Sequence, residues 1–201
     1  MELPAIFSNL LRRYTSNHAL IIGLWNEIEE NYSNKKRHYH TLDHLEALLQ
    51  HLLAIRPQID NWDTILFSLY YHDIIYNPLK TTNEEKSAEF AENRMQLIGV
   101  PQITIENCVR QILATKKHLL NFDNDTNIFI DADLSILGQP WKVYENYFKQ
   151  IKGLQGLISF ISQTSGYQNP YWQFQSKNAC KDKSQNVPVP GSRIPAGLCL
   201  P

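Results

Sequence analysis

The sequence predicts an all-α fold: a helical bundle followed by an irregular C-terminal tail. Three observations carry this expectation. From Ile6 to Gln150 apolar residues recur at three- and four-residue spacing, the repeat that turns one face of a helix toward a core. Alternating β-branched runs, the mark of half-buried strands, are few over the same span. The interruptions fall on prolines, glycines and capping residues, where helices start and stop.

The elements follow in order. A first helix is expected over Pro4 to Glu30, bending or breaking near Thr15 to His18. A second starts at Thr41 and runs to about Ile55, ahead of Pro57. Threonine is a good N-cap, and a proline pushes its predecessor out of the helical region. A third, Trp62 to Ile75, is almost wholly apolar on the side of Ile65, Leu66 and Leu69 and stops before Asn77-Pro78, so it reads as buried. The fourth opens on Thr82-Asn83-Glu84-Glu85, a capping-box pattern, and closes at Gly99. A fifth has Pro101 near its first turn, carries Ile105, Cys108, Val109 and Ile112 inward, and leads toward Lys116 and His118. Asn121 to Asn127 reads as a polar loop, and a sixth, short helix holds Phe129 to Leu137. Gly138-Gln139-Pro140 then ends it and starts a seventh through Trp141, Tyr144 and Phe148.

Beyond Lys152 the composition changes. The last 49 residues contain five of the eight glycines, five of the ten prolines and a single acidic residue, Asp182. The chain therefore divides into a helical domain, residues 1–152, and a C-terminal segment, residues 153–201, expected to be irregular or disordered.

Composition narrows the function. Nineteen basic residues against 20 acidic ones leave a formal net charge of −1, so no global positive field draws the chain onto a phosphate backbone, and nucleic acid is not expected as an obligate partner. The N-terminal residues Met1 to Tyr14 lack a basic stretch followed by an apolar run, and nothing approaches the roughly 20 apolar residues that span a bilayer. The expectation is a cytoplasmic chain without a membrane partner. Cys108, Cys180 and Cys199 are too few and too scattered for a disulfide framework, and Cys108 sits on the inward face of its helix.

Three polar elements interrupt the apolar pattern. His40-Thr-Leu-Asp-His44 opens the second helix, and the four-residue spacing puts both imidazoles on one face. His72-Asp73 ends an apolar helix, where two adjacent polar side chains are costly to bury without a partner. Asp131-Ala132-Asp133 lies among Phe129, Ile130, Leu134, Ile136 and Leu137 and poses the same problem. A metal is an efficient partner. Neutral imidazole with carboxylate suits Mn²⁺, Fe²⁺, Co²⁺, Ni²⁺ or Zn²⁺ better than Ca²⁺ and leaves positions for water and a phosphate oxygen; Mg²⁺ is also admitted.

These residues carry a resemblance. His44, the doublet His72-Asp73 and the later Ala132-Asp133 are similar in order and helical context to the HD superfamily of metal-dependent phosphohydrolases. More narrowly, Arg37-His-Tyr-His-Thr-Leu-Asp-His44, His72-Asp-Ile-Ile-Tyr76, Asn83-Glu-Glu-Lys-Ser-Ala88, Ile112-Leu-Ala-Thr-Lys-Lys-His118 and Asp131-Ala-Asp-Leu-Ser-Ile-Leu-Gly138 resemble a bacterial subfamily described as predicted metal-dependent HD phosphohydrolases. The resemblance spans about residues 5 to 151, and Gly153 onward does not match.

The resemblance implies an HD-domain bundle holding one divalent ion on His44, His72, Asp73 and Asp133, with Asp131 the less favoured ligand, and Asp133 or Asp131 helping to hold and deprotonate the attacking water. It implies that His40 protonates the leaving group, an orienting histidine being the alternative reading. Glu84 and Lys86 stand where some relatives place a substrate-facing acid and base. Arg37, Lys116, Lys117 and His118 are candidates for phosphate contact, with a solvated basic helix end the plainer reading of the last three; His118 is also a conceivable extra metal ligand. The implied activity is hydrolysis of a small phosphorylated compound, with nucleotides or related phosphoesters the leading class. Alternatives of other classes are a nucleotide-sensing HD module without turnover and a di-iron HD oxygenase. The metal, the substrate and the oligomeric state are left open.

Overall fold

A computed structural model describes residues 2–34, 37 and 40–135. Among these the structure is all-helical, with seven α-helices and no strand: α1 Leu3–Leu11, α2 His18–Tyr32, α3 Leu42–Ala54, α4 Trp62–Tyr71, α5 Asn83–Leu97, α6 Gln102–Ala114 and α7 Asn124–Asp133. No helix among them is long and apolar enough to cross a membrane. The expected helix through Trp141, the boundary at residue 152 and the tail lie outside the described residues.

The long first helix divides in two. Asn17 ends the break by accepting a hydrogen bond from the Leu20 amide (3.1 Å), a side-chain cap that starts α2 afresh. The first half turns Leu3, Phe7, Leu10 and Leu11 inward, and Phe7 meets Tyr70 edge-on at 4.7 Å between ring centroids.

The helix α4 is the axis of the bundle. Every residue from Thr64 to Tyr71 is buried, and the helix packs against α1, α3, α5 and α6. Such burial on all sides explains why its sequence is apolar nearly all round. It ends at Tyr71 rather than at Ile75, so His72 is its C-cap and Asp73 lies on the turn beyond.

Two helix starts differ from expectation, α5 in how it is capped and α7 in where it begins. The cap at Thr82 is made without its side chain; instead Asn83 binds the preceding loop, accepting from the Asn77 amide and donating to the Asn77 and Lys80 carbonyls. The helix α5 closes as the glycine predicts: Gly99 has a positive φ of 75°, and the amides of Gly99 and Val100 bond back to Gln96 and Met95. The polar stretch Asn121 to Asn127 is only partly a loop. Asp123 accepts from the Thr126 amide (2.9 Å) and caps α7 at Asn124, because Asp and Asn favour helix starts as readily as loops.

The start of α7 is tied to the start of α4. The buried Asp125 carboxylate accepts from the amides of Asp60 (2.9 Å) and Asn61 (2.7 Å), the latter being the N-cap residue of α4. Both helices are ten residues long, about 15 Å, so fastening their beginnings brings Asp133 at the end of α7 level with His72. Asp125→Ala should destabilise the chain by about 2 to 3 kcal/mol, and Asp125→Asn, which keeps one acceptor, by less; urea unfolding of the two variants measures the difference.

Candidate metal centre

Three helices and a turn deliver the site. His44 sits in the first turn of α3, His72 caps α4, Asp73 follows on the turn, and Asp133 ends α7. His44 and His72 are buried, and Asp73 and Asp133 are largely so. The His44 and His72 Nε2 atoms are 3.3 Å apart. Asp133 Oδ1 stands 3.4 Å from the first and 3.7 Å from the second, and Asp73 Oδ2 is 3.2 Å from His72 Nε2. His40 completes the cluster from the mouth: it is half-exposed, and its Nδ1 lies 2.5 Å from Asp73 Oδ2. These residues form two overlapping groups, His40/His44/Asp73 and His44/His72/Asp133, whose donor atoms lie within 4.8 Å of one another in each.

The donor set fits a divalent transition metal. Ligand bonds near 2.1 Å in a tetrahedron place neighbouring donors about 3.4 Å apart, close to the separations seen. The His72 tautomer agrees. His72 Nδ1 lies 3.0 Å from the Leu69 carbonyl and donates to it, so the lone pair of the neutral ring is on Nε2, facing the cluster. Without a cation that lone pair would face two carboxylate oxygens and a second imidazole, an arrangement that only a proton or a metal ion relieves.

Electrostatics follow from the same contacts. Burial alone would lower His72, but the Asp73 and Asp133 carboxylates outweigh it and raise its imidazolium to about 9. Burial dominates at His44 and lowers it, favouring the neutral ligand form. Burial works against ionising Asp73, yet His40 and His72 hold its carboxyl well below the usual range; Asp133 is likewise held low, by His118, His44 and His72 against burial.

At neutral pH, then, the metal-free site carries a proton on His72 that an incoming ion must displace. Affinity for Zn²⁺ or Mn²⁺ should rise about tenfold per unit from pH 6.5 to about 9 and then level off, with about one proton released per ion at pH 7.5. The fold responds in the opposite sense. A raised histidine stabilises the metal-free chain fully below its unfolded value near 6.5, and that contribution is lost as pH climbs through about 9. Calorimetric titration in two buffers of different ionisation enthalpy reads the proton count; a count of zero would contradict a protonated His72.

The remaining candidate residues are placed less uniformly. Asp131 is exposed and does not join the cluster, since two helical positions apart means about 200° around the axis. Arg37 is turned inward, not toward solvent. Its guanidinium donates to the carbonyls of Asp73 (2.7 Å), Ile74 (2.7 Å) and His40 (3.2 Å) and lies over the rings of Tyr32 and Tyr76. Lys116 reaches back to α5, donating to the Thr81 carbonyl and pairing with Glu85, with Glu84 at 4.0 Å. Lys117 and Lys86 are exposed. Neither Glu84 nor Lys86 belongs to the His and Asp groups. His118 meets Asp133 through Nε2, 3.1 Å from Oδ2.

Sequence reasoning did not single out Tyr32, whose buried hydroxyl accepts from the Asp73 amide (3.3 Å). Its only signal was a place on the inward face of α2. No family model, curated protein or solved structure matches this chain.

Proposed function

We propose that the chain is a metal-dependent phosphohydrolase of the HD type, acting on a small phosphorylated compound of the nucleotide or phosphoester class. The observation that carries this reading is the gathering of His44 Nε2, His72 Nε2 and Asp133 Oδ1 at separations of 3.3 to 3.7 Å, with Asp73 Oδ2 3.2 Å from His72 Nε2, from three helices and a turn. The resemblance in motif order supports the activity, and the nitrogen and oxygen donor set supports a single ion. A bound divalent ion would polarise a phosphoryl oxygen and acidify a water.

The chain's own groups would do the rest. Asp73 and Asp133 keep negative charge at the centre, since their neighbours hold both carboxyls ionised. His44 and His72 orient toward the same point, the latter fixed by its bond to the Leu69 carbonyl. His40, at the mouth, has its Nδ1 engaged by Asp73, which orients the ring so that Nε2 delivers a proton to the leaving oxygen.

The test is release of phosphate or pyrophosphate from a panel of nucleotides and phosphoesters, with Mn²⁺, Co²⁺, Ni²⁺ or Mg²⁺ added, by the full chain and by Asp73→Ala. Turnover that disappears in the variant supports the hydrolase. A folded, metal-loaded chain that binds nucleotides without turning them over would instead identify a sensor.

A further inference from the structure

The loop after α6 carries an uncommon conformation. His118 has φ 49°, the one positive φ at a non-glycine among the described residues. A side chain in this left-handed region costs about 1 kcal/mol or more, so something must hold it. The backbone amide of His118 bonds to the Ala114 carbonyl (3.0 Å). The ring then reaches Asp133, Nε2 to Oδ2 at 3.1 Å.

That contact divides the Asp133 carboxylate between two jobs. Oδ2 faces His118, and Oδ1 faces His44 and His72 at 3.4 and 3.7 Å. The terminal torsion of an aspartate is broad, so a donor fixed on one oxygen decides which way the other points. His118 itself lies outside both groups of donors that could hold an ion.

The loop is fastened by polar contacts, not by a core. Leu119, Leu120 and Phe122 are exposed. The Asn127 side chain accepts from the Asn121 amide (2.7 Å) and donates to the Asn121 carbonyl (2.8 Å). Two anchors of the loop, at residues 127 and 133, are on α7, beside the tie of Lys116 to Thr81 and Glu85, and the helix that carries Asp133 is the frame against which the His118 ring is placed.

We propose that His118 is a positioning residue for the Asp133 carboxylate, so that the loop following α6 tunes the affinity of the centre for its ion. This rests on the reading that the centre holds a divalent metal. It replaces direct phosphate contact and metal ligation as the role of His118. The left-handed backbone serves to bring the imidazole back over α7, which a loop in ordinary conformation would carry away.

The test is calorimetric titration of the full chain with Zn²⁺ or Mn²⁺ alone, for the parent and for His118→Ala, His118→Gly and His118→Asn, alongside melting of each metal-free protein. Affinity should fall about 10- to 100-fold in His118→Ala and His118→Gly with the stoichiometry unchanged at about one ion per chain. Glycine tolerates the positive φ, so His118→Gly should melt no lower than the parent, separating positioning from folding. Asparagine also tolerates it and has an N–H to donate, so His118→Asn should recover part of the affinity. Equal affinity in the parent and His118→Gly would overturn the proposal, as would a fall from two ions to one, which would make His118 a ligand. A parent that binds no ion overturns the metal reading itself, a distinct result.

Discussion

Asp73→Ala should abolish turnover and weaken metal binding by more than about a hundredfold, beyond the 10- to 100-fold typical of losing a group that only supports a ligand. The carboxylate faces His72 Nε2 at 3.2 Å and His40 Nδ1 at 2.5 Å, so one substitution removes a proposed ion ligand and the group beside the half-exposed histidine. If the ion contributes about 4 kcal/mol to the transition state, its loss alone lowers the rate on the order of a thousandfold. The fold should survive, because the Asp73 main chain is held independently: its carbonyl by Arg37 and its amide by Tyr32. Asp73→Asn keeps the shape and removes the charge. It should also release His72, whose raised pKa of about 9 depends on Asp73 as well as Asp133, toward the ordinary range. Histidine NMR titration of the metal-free variant checks the second effect; full activity in Asp73→Ala would refute the proposed mechanism.

Arg37→Ala should instead lower stability and metal affinity together. Arg37 is 9% exposed, and the bonds of its guanidinium join His40, Asp73 and Ile74, that is, the segment before α3 and the turn beyond α4. The Asp73 and Ile74 carbonyls lie just beyond the C-terminal end of α4, where a cation is favoured. Loss of the side chain leaves them without this donor and opens space between the Tyr32 and Tyr76 rings. The expected cost is about 3 kcal/mol, a fall in melting temperature of roughly 10 °C for a chain of this size. Arg37→Lys should recover only part of it, because a single ammonium cannot span three carbonyls with the geometry of a planar fork. Melting curves with and without added Zn²⁺ check this: the stabilisation by metal should shrink in both variants, and an unchanged metal increment would show that Arg37 supports the fold but not the centre.

Much of the fold was legible because helices are local. Three- and four-residue spacing marked the buried faces of α1 through α6, and Gly99, Pro101 and Thr41 marked their ends within a few residues. The boundaries that were missed are those where a side chain chose among competing local bonds. Thr82 could have capped α5 with its own side chain or left Asn83 to bind the preceding loop, and Asp123 could have stayed in a loop or capped α7. Each choice depends on what the following helix packs against.

The candidate site was legible in its members, and their gathering was not. Histidines and aspartates inside apolar helices announced themselves by the cost of burying them, and the structure brings His44, His72, Asp73 and Asp133 together, with His40 at the edge. What the flanking residues meet was not legible. Arg37, Lys116 and His118 read as candidates for phosphate contact or as solvated basic residues, and each meets a partner far along the chain: Ile74, Glu85 and Asp133 respectively. Asp131 and Asp133 look alike in sequence, and the rotation of α7 separates them.

The sequence by itself determined that this chain is helical, which helix is central, and which polar residues would need a partner when buried. Periodicity and burial cost are properties of short stretches and their composition. Only the tertiary structure decided which carboxylate of α7 faces the histidines, and that Arg37 clasps the turn after α4. It also decided that His118 is turned onto Asp133, because each of these depends on how helices distant in sequence are rotated and fastened against one another.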